Sequence, residues 1–482
     1  MTNSIYTITI FQRIFVTVFY GGICMQLNMT KGKPLPVILM FTIPLIIGNV
    51  FQQLYNMVDT IIVGRFVGAD ALAAVGSTGT IMFLITGFSQ GITAGFSVRV
   101  SQKYGALDHT AVKRNVANGI LLSVISAMIL TAFSASIMKP LLRLMNTPDN
   151  IYKMAYSYII VICIGIAANI FYNLFSAYLR AVGNSQVPLF FLVFSACLNV
   201  VLDLLFVVKL QMGVAGAAWA TNLSQAISAV LCAVYIWLKV PDLKPEPDQW
   251  KISPQDTSPQ LAAGIPMAFQ FAITASGTMI MQSAINLFGS EAVAAYTAAG
   301  KLQNILTQGM VAMGQTMATY GGQNYGCCNL KRIREGLKSG IIISVIYSIA
   351  IGIVLIFAGS KIALIFVSGS ETEVLGYAQQ LLTCAGFFYF FLAFLNCTRL
   401  TIQGLGYSAI AMCAGLSELL ARGLMSVFVI PKFGYTAVCF TDQTAWIAAT
   451  AVVMPVFFAI MKRLEKRQAE VTGSPTHNPA AH

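Results

Sequence analysis

Apolar stretches of about twenty residues recur along this chain, with only short polar breaks between them. A bilayer's hydrocarbon core is about 30 Å thick, and a helix that crosses it needs about 20 consecutive apolar residues. Runs of that kind fall near 36–62, 72–99, 115–138, 154–178, 187–208, 213–238, 261–288, 293–320, 337–367, 374–398, 407–431 and 435–461. They predict twelve transmembrane helices and an all-α integral membrane fold. Composition agrees: 57% of residues are hydrophobic and 10% charged, where a soluble domain carries about 25% charged residues. A soluble protein with a large core is excluded, because it would still need a charged surface.

One polar stretch, VPDLKPEPDQWKISPQDTSPQ at 240–260, divides the runs into six and six. The expected organisation is an N-terminal segment (1–33), a first lobe (34–240), a cytoplasmic inter-lobe loop (241–260), a second lobe (261–462) and a cytoplasmic tail (463–482), disordered after Lys462. The halves repeat. GADALAAV (68–75) matches GSEAVAAY (289–296) at an offset of 221, that is 289 minus 68, and SQKYGA (101–106) matches GQNYGC (322–327) at the same offset. With one or two more residues of offset, Pro44 matches Pro266 and Gly183 matches Gly406. Six is even, so both copies have the same orientation. Duplicated halves around a central binding cavity mark transporters. Pro44 and Pro266 sit inside apolar runs, where proline bends a helix.

The net charge of +12 reads as topology rather than nucleic-acid binding, because the basic residues cluster between apolar runs. Lys31, Lys33, Lys103, Arg332 and Arg334 fall on one side with many more, Arg399 among them; few, such as Arg65 and Lys209, fall on the other. The positive-inside rule makes the richer side cytoplasmic, with both termini there. Residues 1–28 are short, apolar and interrupted by Arg13, and Met29 opens the basic lead MTKGKP; the expectation is that Met29 is the biological start. The ten cysteines read as free thiols in apolar positions, not a disulfide framework.

Polar residues within the first half follow helical spacing. Asn49, Gln52, Tyr55, Asn56 and Asp59 share one face of the first span; Asn169, Asn173 and Ser176 do so on the fourth, Ser195, Asn199 and Asp203 on the fifth, and Thr221, Ser224, Gln225 and Ser228 on the sixth. Lipid satisfies none of these groups, so the stripes should face one another or water. Hydrogen-bond glue accounts for the neutral residues but less well for two carboxylates, which cost more to bury. Asp59 and Asp203 each precede an outward basic residue by six positions, about 9 Å along an α-helix. Asp59, Asn199, Asp203 and Thr221 can therefore meet in one layer. Their oxygens suit a hard cation such as Na⁺, and two close carboxylates also suit a proton. The second half does not copy this chemistry. It carries Glu418 and Arg422, an i,i+4 pair read as a structural ion pair, and Asp442 in place of Thr221.

GFSQG (87–91) fits a nucleophile elbow, but the three histidines lie in a loop and the tail. Gly87, Gly91 and Gly95 read better as a ridge for close helix packing. No usable catalytic constellation or nucleotide motif is present, and neither an enzyme nor a cofactor is expected.

IPLIIGNVFQQLYNMVDTIIVGRFVGADALAAVG closely resembles the first helix and following loop of the multidrug and toxic compound extrusion (MATE) family. LRAVGNSQVP (179–188), NVVLDLLFV (199–207) and GVAGAAWAT (213–221) resemble later family segments. The resemblance implies a bacterial inner-membrane exporter with two six-helix lobes, exchanging organic cations for Na⁺ or H⁺. It implies Asp59 as the coupling residue, a cation network at Asn199, Asp203 and Thr221, Pro44 as the bending proline, and Gln52 in the cavity. Tyr55, Asn56, Asn169 and Asn173 are further cavity candidates from their stripes. Another branch of the family has a glutamate eight residues after the second-lobe proline; Thr274 stands there instead.

The expected protein is a monomeric antiporter for amphipathic, often cationic compounds, with a coupling cation and membrane lipid as its other partners. The rival is a flippase for lipid-linked oligosaccharide or lipid. Such phosphate-bearing cargo calls for several buried cations, and only Arg422 and Lys301 lie well inside a span.

Overall fold

The computed structural model describes residues 26–472, apart from 146 and 368–370. The proposed extension before Met29 lies almost wholly outside the described residues. Among those residues every regular element is helical. In chain order the α-helices are α1 (Pro34–Phe66), α2 (Ala69–Ser77), α3 (Gly79–Gly105), α4 (His109–Leu144), α5 (Asp149–Ile164), α6 (Ile166–Ala181), α7 (Gln186–Asp203) and α8 (Gly213–Lys239). Then follow α9 (Pro254–Ile285), α10 (Ser290–Leu306), α11 (Gln308–Gly326), α12 (Leu330–Ala363), α13 (Thr372–Gly404), α14 (Ser408–Leu424), α15 (Ile430–Phe433) and α16 (Tyr435–Thr472).

Ten helices are long and apolar enough to cross a membrane, or eleven when α5 and α6, bent by 47°, count as one span. The run expected at 293–320 is instead two helices, α10 and α11, divided at Thr307. Lys301, Gln303, Asn304, Gln308 and Gln315 dilute its apolarity. The run at 72–99 is likewise divided, at Thr78. α1 and α9 both continue through their internal prolines, Pro44 and Pro266.

The described residues up to Met29, with Leu39–Ala275, form one compact unit; Thr30–Ile38 and the residues from Ser276 onward form a second. The polar 240–260 stretch is attached to the first unit rather than hanging free. Lys113 pairs with Glu246 (2.6 Å) and His109 with Asp242 (2.9 Å). Asn115 donates to the buried Asp256 (3.1 Å), and Asn118 to Gln260 (2.7 Å). α9 already begins at Pro254, inside the stretch read as loop. Proline is favoured at a first helical position because its missing N–H is not needed there. The chain beyond Lys462, expected to be disordered, is helical as far as Thr472. KRLEKRQAE is composed almost entirely of good helix formers, and Glu465 pairs with Arg334 (2.8 Å).

The glycine ridge packs as its spacing predicts. A Cβ at Gly91 would lie 2.6 Å from the Ala268 backbone, and Gly87 and Gly95 face Phe271 and Gly264. Only hydrogen at these positions lets α3 and α9 approach so closely. Ser89 is buried and donates to Ile85 O (2.9 Å), so it is no nucleophile.

The duplication is written into the backbone. Leu107 and Cys328 both have φ of 57°. Each is followed by a capping residue: Asp108 accepts from Ala111 N (3.0 Å) and Asn329 from Arg332 N (3.1 Å). α7 ends at Asp203 in a π-helical turn, Leu204–Lys209, and α14 ends at Leu424 in another, Met425–Val429. Both pairs of positions differ by 221 (328 minus 107; 424 minus 203).

Candidate functional site

Three helices of the first unit bring the predicted cation group together. Asp59 and Tyr55 are one turn apart on α1, Asn199 and Asp203 one turn apart on α7, and Thr221 lies in the third turn of α8. Asp59 and Asp203 are buried, and their carboxyls lie beside each other. Tyr55 Oη and Asn199 Nδ2 both donate to Thr221 Oγ1, each at 3.4 Å. Asp59 Oδ1 is buried with no hydrogen-bond partner. An orphaned carboxylate oxygen in a shell of carboxyl, hydroxyl and amide groups has the chemistry of a hard-cation or proton site. Asp203 is the last α-helical residue before a π turn. Such turns are frequent at functional sites because they redirect a side chain without ending the helix. Lys209 lies across that turn, so the distance that α-helical rise implies from Lys209 to Asp203 does not apply.

Tyr158 on α5 is a neighbour that the polar stripes do not reveal. It is buried, interacts electrostatically with Asp59, Asp203 and Tyr55, and its hydroxyl lies 3.8 Å from Met82 Sδ. A tyrosine within AYSYIIVICI passes as an apolar residue by hydropathy.

Asn169 and Asn173 form a separate polar group. Asn169 donates to Gln225 on α8 (3.2 Å), and Asn173 donates to Asn169 O (2.8 Å) and Oδ1 (3.2 Å). Gln52 is half-buried and Asn56 exposed, and neither is drawn into the cation group. Between the two groups the α5–α6 elbow turns at Gly165. The Asn222 side chain occupies the place a Cβ would take at Gly165 and donates to Val161 O (2.6 Å), supporting a carbonyl at the break. A cavity of about 490 Å³ adjoins the elbow, lined by Gly165, Phe206, Trp219 and Leu223 among others. It has no acidic lining residue, so it is distinct from the Asp59–Asp203 group.

The second unit replaces the carboxyl pair with a balanced ionic chain. Arg399 donates to Glu418 (2.9 Å), Glu418 lies 3.5 Å from Arg422, and Arg422 Nε donates to Asp442 (2.9 Å). The expected Glu418–Arg422 pair is present. Arg399, counted with the cytoplasmic flanking charges, instead points at Glu418 from within α13. Asp442, Glu418 and Arg422 are thus tied to one another, and two cations offset two acids. Among the described residues no cluster of three or more metal-ligating His, Cys, Asp or Glu side chains occurs.

The MatE family model matches this chain twice, over residues 44–205 and 266–429. The chain belongs to the MATE family. The matches begin 222 residues apart (266 minus 44), at the two prolines that align in the repeat. The chain is 28% identical over 428 residues to the probable multidrug resistance protein YpnP of Bacillus subtilis, covering 88% of this chain and 92% of that protein. It is 21% identical to an FAD transporter of Shewanella oneidensis, covering 72% and 78% of the two chains. Its fold matches a solved multidrug resistance MATE transporter in an outward-facing conformation, with a TM-score of 0.85 at 23% identity over 92% of this chain and 99% of that one.

Proposed function

We propose that this MATE protein is a secondary active multidrug efflux transporter that exports amphipathic or cationic organic compounds in exchange for Na⁺ or H⁺. The observation that carries the reading is the buried Asp59–Asp203 carboxyl pair, with Asn199, Thr221 and Tyr55 around it. Two contacting carboxyls cannot both remain charged without a cation or a proton between them. Asp59, Asp203, Asn199 and Thr221 would hold Na⁺ through their oxygens; with H⁺, the two carboxyls share the proton. Exchange follows if cation and substrate favour different conformations of the protein, since a ligand shifts an equilibrium by its differential affinity. The Asn169–Asn173–Gln225 group and Gln52 are candidates for the substrate's polar contacts, and Pro44 for the bending point of α1. The multidrug resistance names of relatives such as YpnP support the substrate class. On this reading the protein is a monomer of the bacterial inner membrane with both termini cytoplasmic.

Dye efflux from inverted membrane vesicles, with the Na⁺ and H⁺ gradients collapsed in turn, tests the reading. Loss of efflux with one gradient is expected. Wild-type efflux by Asp59→Asn in either condition would refute the coupling assignment. The FAD transporter relative supports a second reading, an anionic dinucleotide as cargo. Competition of FAD with dye in the same vesicles separates the two.

A further inference from the structure

α13 and α16 lie side by side in the second unit, and named contacts fix their register. Tyr435 Oη donates to Tyr377 O (3.1 Å), and the two rings are 4.4 Å apart. Gln380 Nε2 donates to Thr436 Oγ1 (3.1 Å), and Phe388 meets Phe440 edge-on at 6.0 Å between centroids. Positions 377, 380 and 388 thus meet 435, 436 and 440 in ascending order, so the helices are parallel. Within this ladder stand Cys384 and Cys439, whose thiols interact with each other. Cys439 is buried and Cys384 half-buried. A bridge needs closely packed backbones, and contacts on both sides of the pair hold the two helices together there.

We propose that Cys384 and Cys439 form a reversible dithiol–disulfide pair that ties α13 to α16. In the reaction the two thiols lose two protons and two electrons, two S–H bonds break and one S–S bond forms between the Sγ atoms. The acceptor is a two-electron oxidant of the diazene class, which is reduced to the hydrazine. A dithiol reductant reverses the step by exchange and leaves as its own cyclic disulfide. Asp442 follows Cys439 by three residues, so the bridge fixes the turn of α16 that presents Asp442 to Arg422. The two cysteines are 55 positions apart (439 minus 384), and nothing in their spacing marks them as partners.

The test treats the purified full-length protein with diamide, and in parallel with the copper–phenanthroline oxidant. Free thiols are then alkylated under denaturing conditions and the digest is mapped by mass spectrometry. The expected result is a peptide pair linked through Cys384 and Cys439, released by dithiothreitol. In Cys384→Ser the link is absent and Cys439 is alkylated; Cys439→Ser gives the converse, and the alanine variants serve if either serine protein does not fold. The Tm of the wild type rises on oxidation, whereas that of each variant does not. Alkylation of both cysteines in wild type after both oxidants, or their linkage only to other cysteines, overturns the proposal.

Discussion

Asp203 and Leu424 occupy the same place in the two halves of the protein, each the last α-helical residue before a π turn. The duplicated backbone was kept, and the carboxylate stands on one copy only. Asp203→Asn is therefore expected to lower gradient-driven dye efflux by about tenfold or more, within the usual range of coupling free energies. Leu424→Asn should leave it within about twofold. Vesicle efflux measured for both variants, normalised to protein in the membrane, decides this; equal losses would show that the π turn matters rather than the carboxyl.

Gly91→Leu drives a side chain into the Ala268 backbone of α9, where even a Cβ would lie 2.6 Å away. Overpacking of this kind costs about 1–3 kcal/mol. A lower Tm in detergent is expected for Gly91→Leu, while Ser89→Ala retains wild-type efflux because the hydroxyl only caps Ile85 O. Loss of transport in Ser89→Ala at normal Tm would count against the packing account.

Asp108 caps α4, and the Ala111 N–H, followed by the Lys103 ammonium, holds its carboxyl below the usual carboxylate range. A depressed folded-state pKa contributes stability that is in place above the unfolded value of about 3.9 and is lost as pH falls through the folded value. Asp108→Ala should cost about 1 kcal/mol near neutrality. Its Tm deficit against wild type should shrink as pH drops below about 4. A deficit constant with pH would mean that the side chain acts by packing.

Arg422 sits between two acids, Glu418 and Asp442, in the buried chain of the second unit. Removing one member of a buried ionic group leaves an uncompensated charge and costs about 3 kcal/mol or more. Arg422→Ala should destabilise the protein more than the double replacement of Arg422 by leucine and Asp442 by asparagine, which leaves Arg399 and Glu418 as a balanced pair. Thermal unfolding of the two proteins tests the order.

Much of this molecule was legible along the chain. Hydropathy runs predicted a helical membrane fold, and the 221-residue offset marked the duplication that the caps at Asp108 and Asn329 and the two π turns repeat in the backbone. Helical spacing put Asp59, Asn199, Asp203 and Thr221 on faces that could meet. These are local or periodic properties, set by side-chain polarity and the helix's residues per turn, so one sequence carries them. Which side chains touch was decided only by packing. The Asp59–Asp203 contact, Arg399 turning from a flanking charge into the partner of Glu418, Tyr158 beside the carboxyls and the Cys384–Cys439 pair all depend on how helices distant in sequence rotate and approach. The division at Thr307 and the attachment of the 240–260 stretch through Glu246 and Asp256 depend on the same thing. Hydropathy and periodicity describe one helix at a time, whereas these contacts require the relative rotation and depth of two.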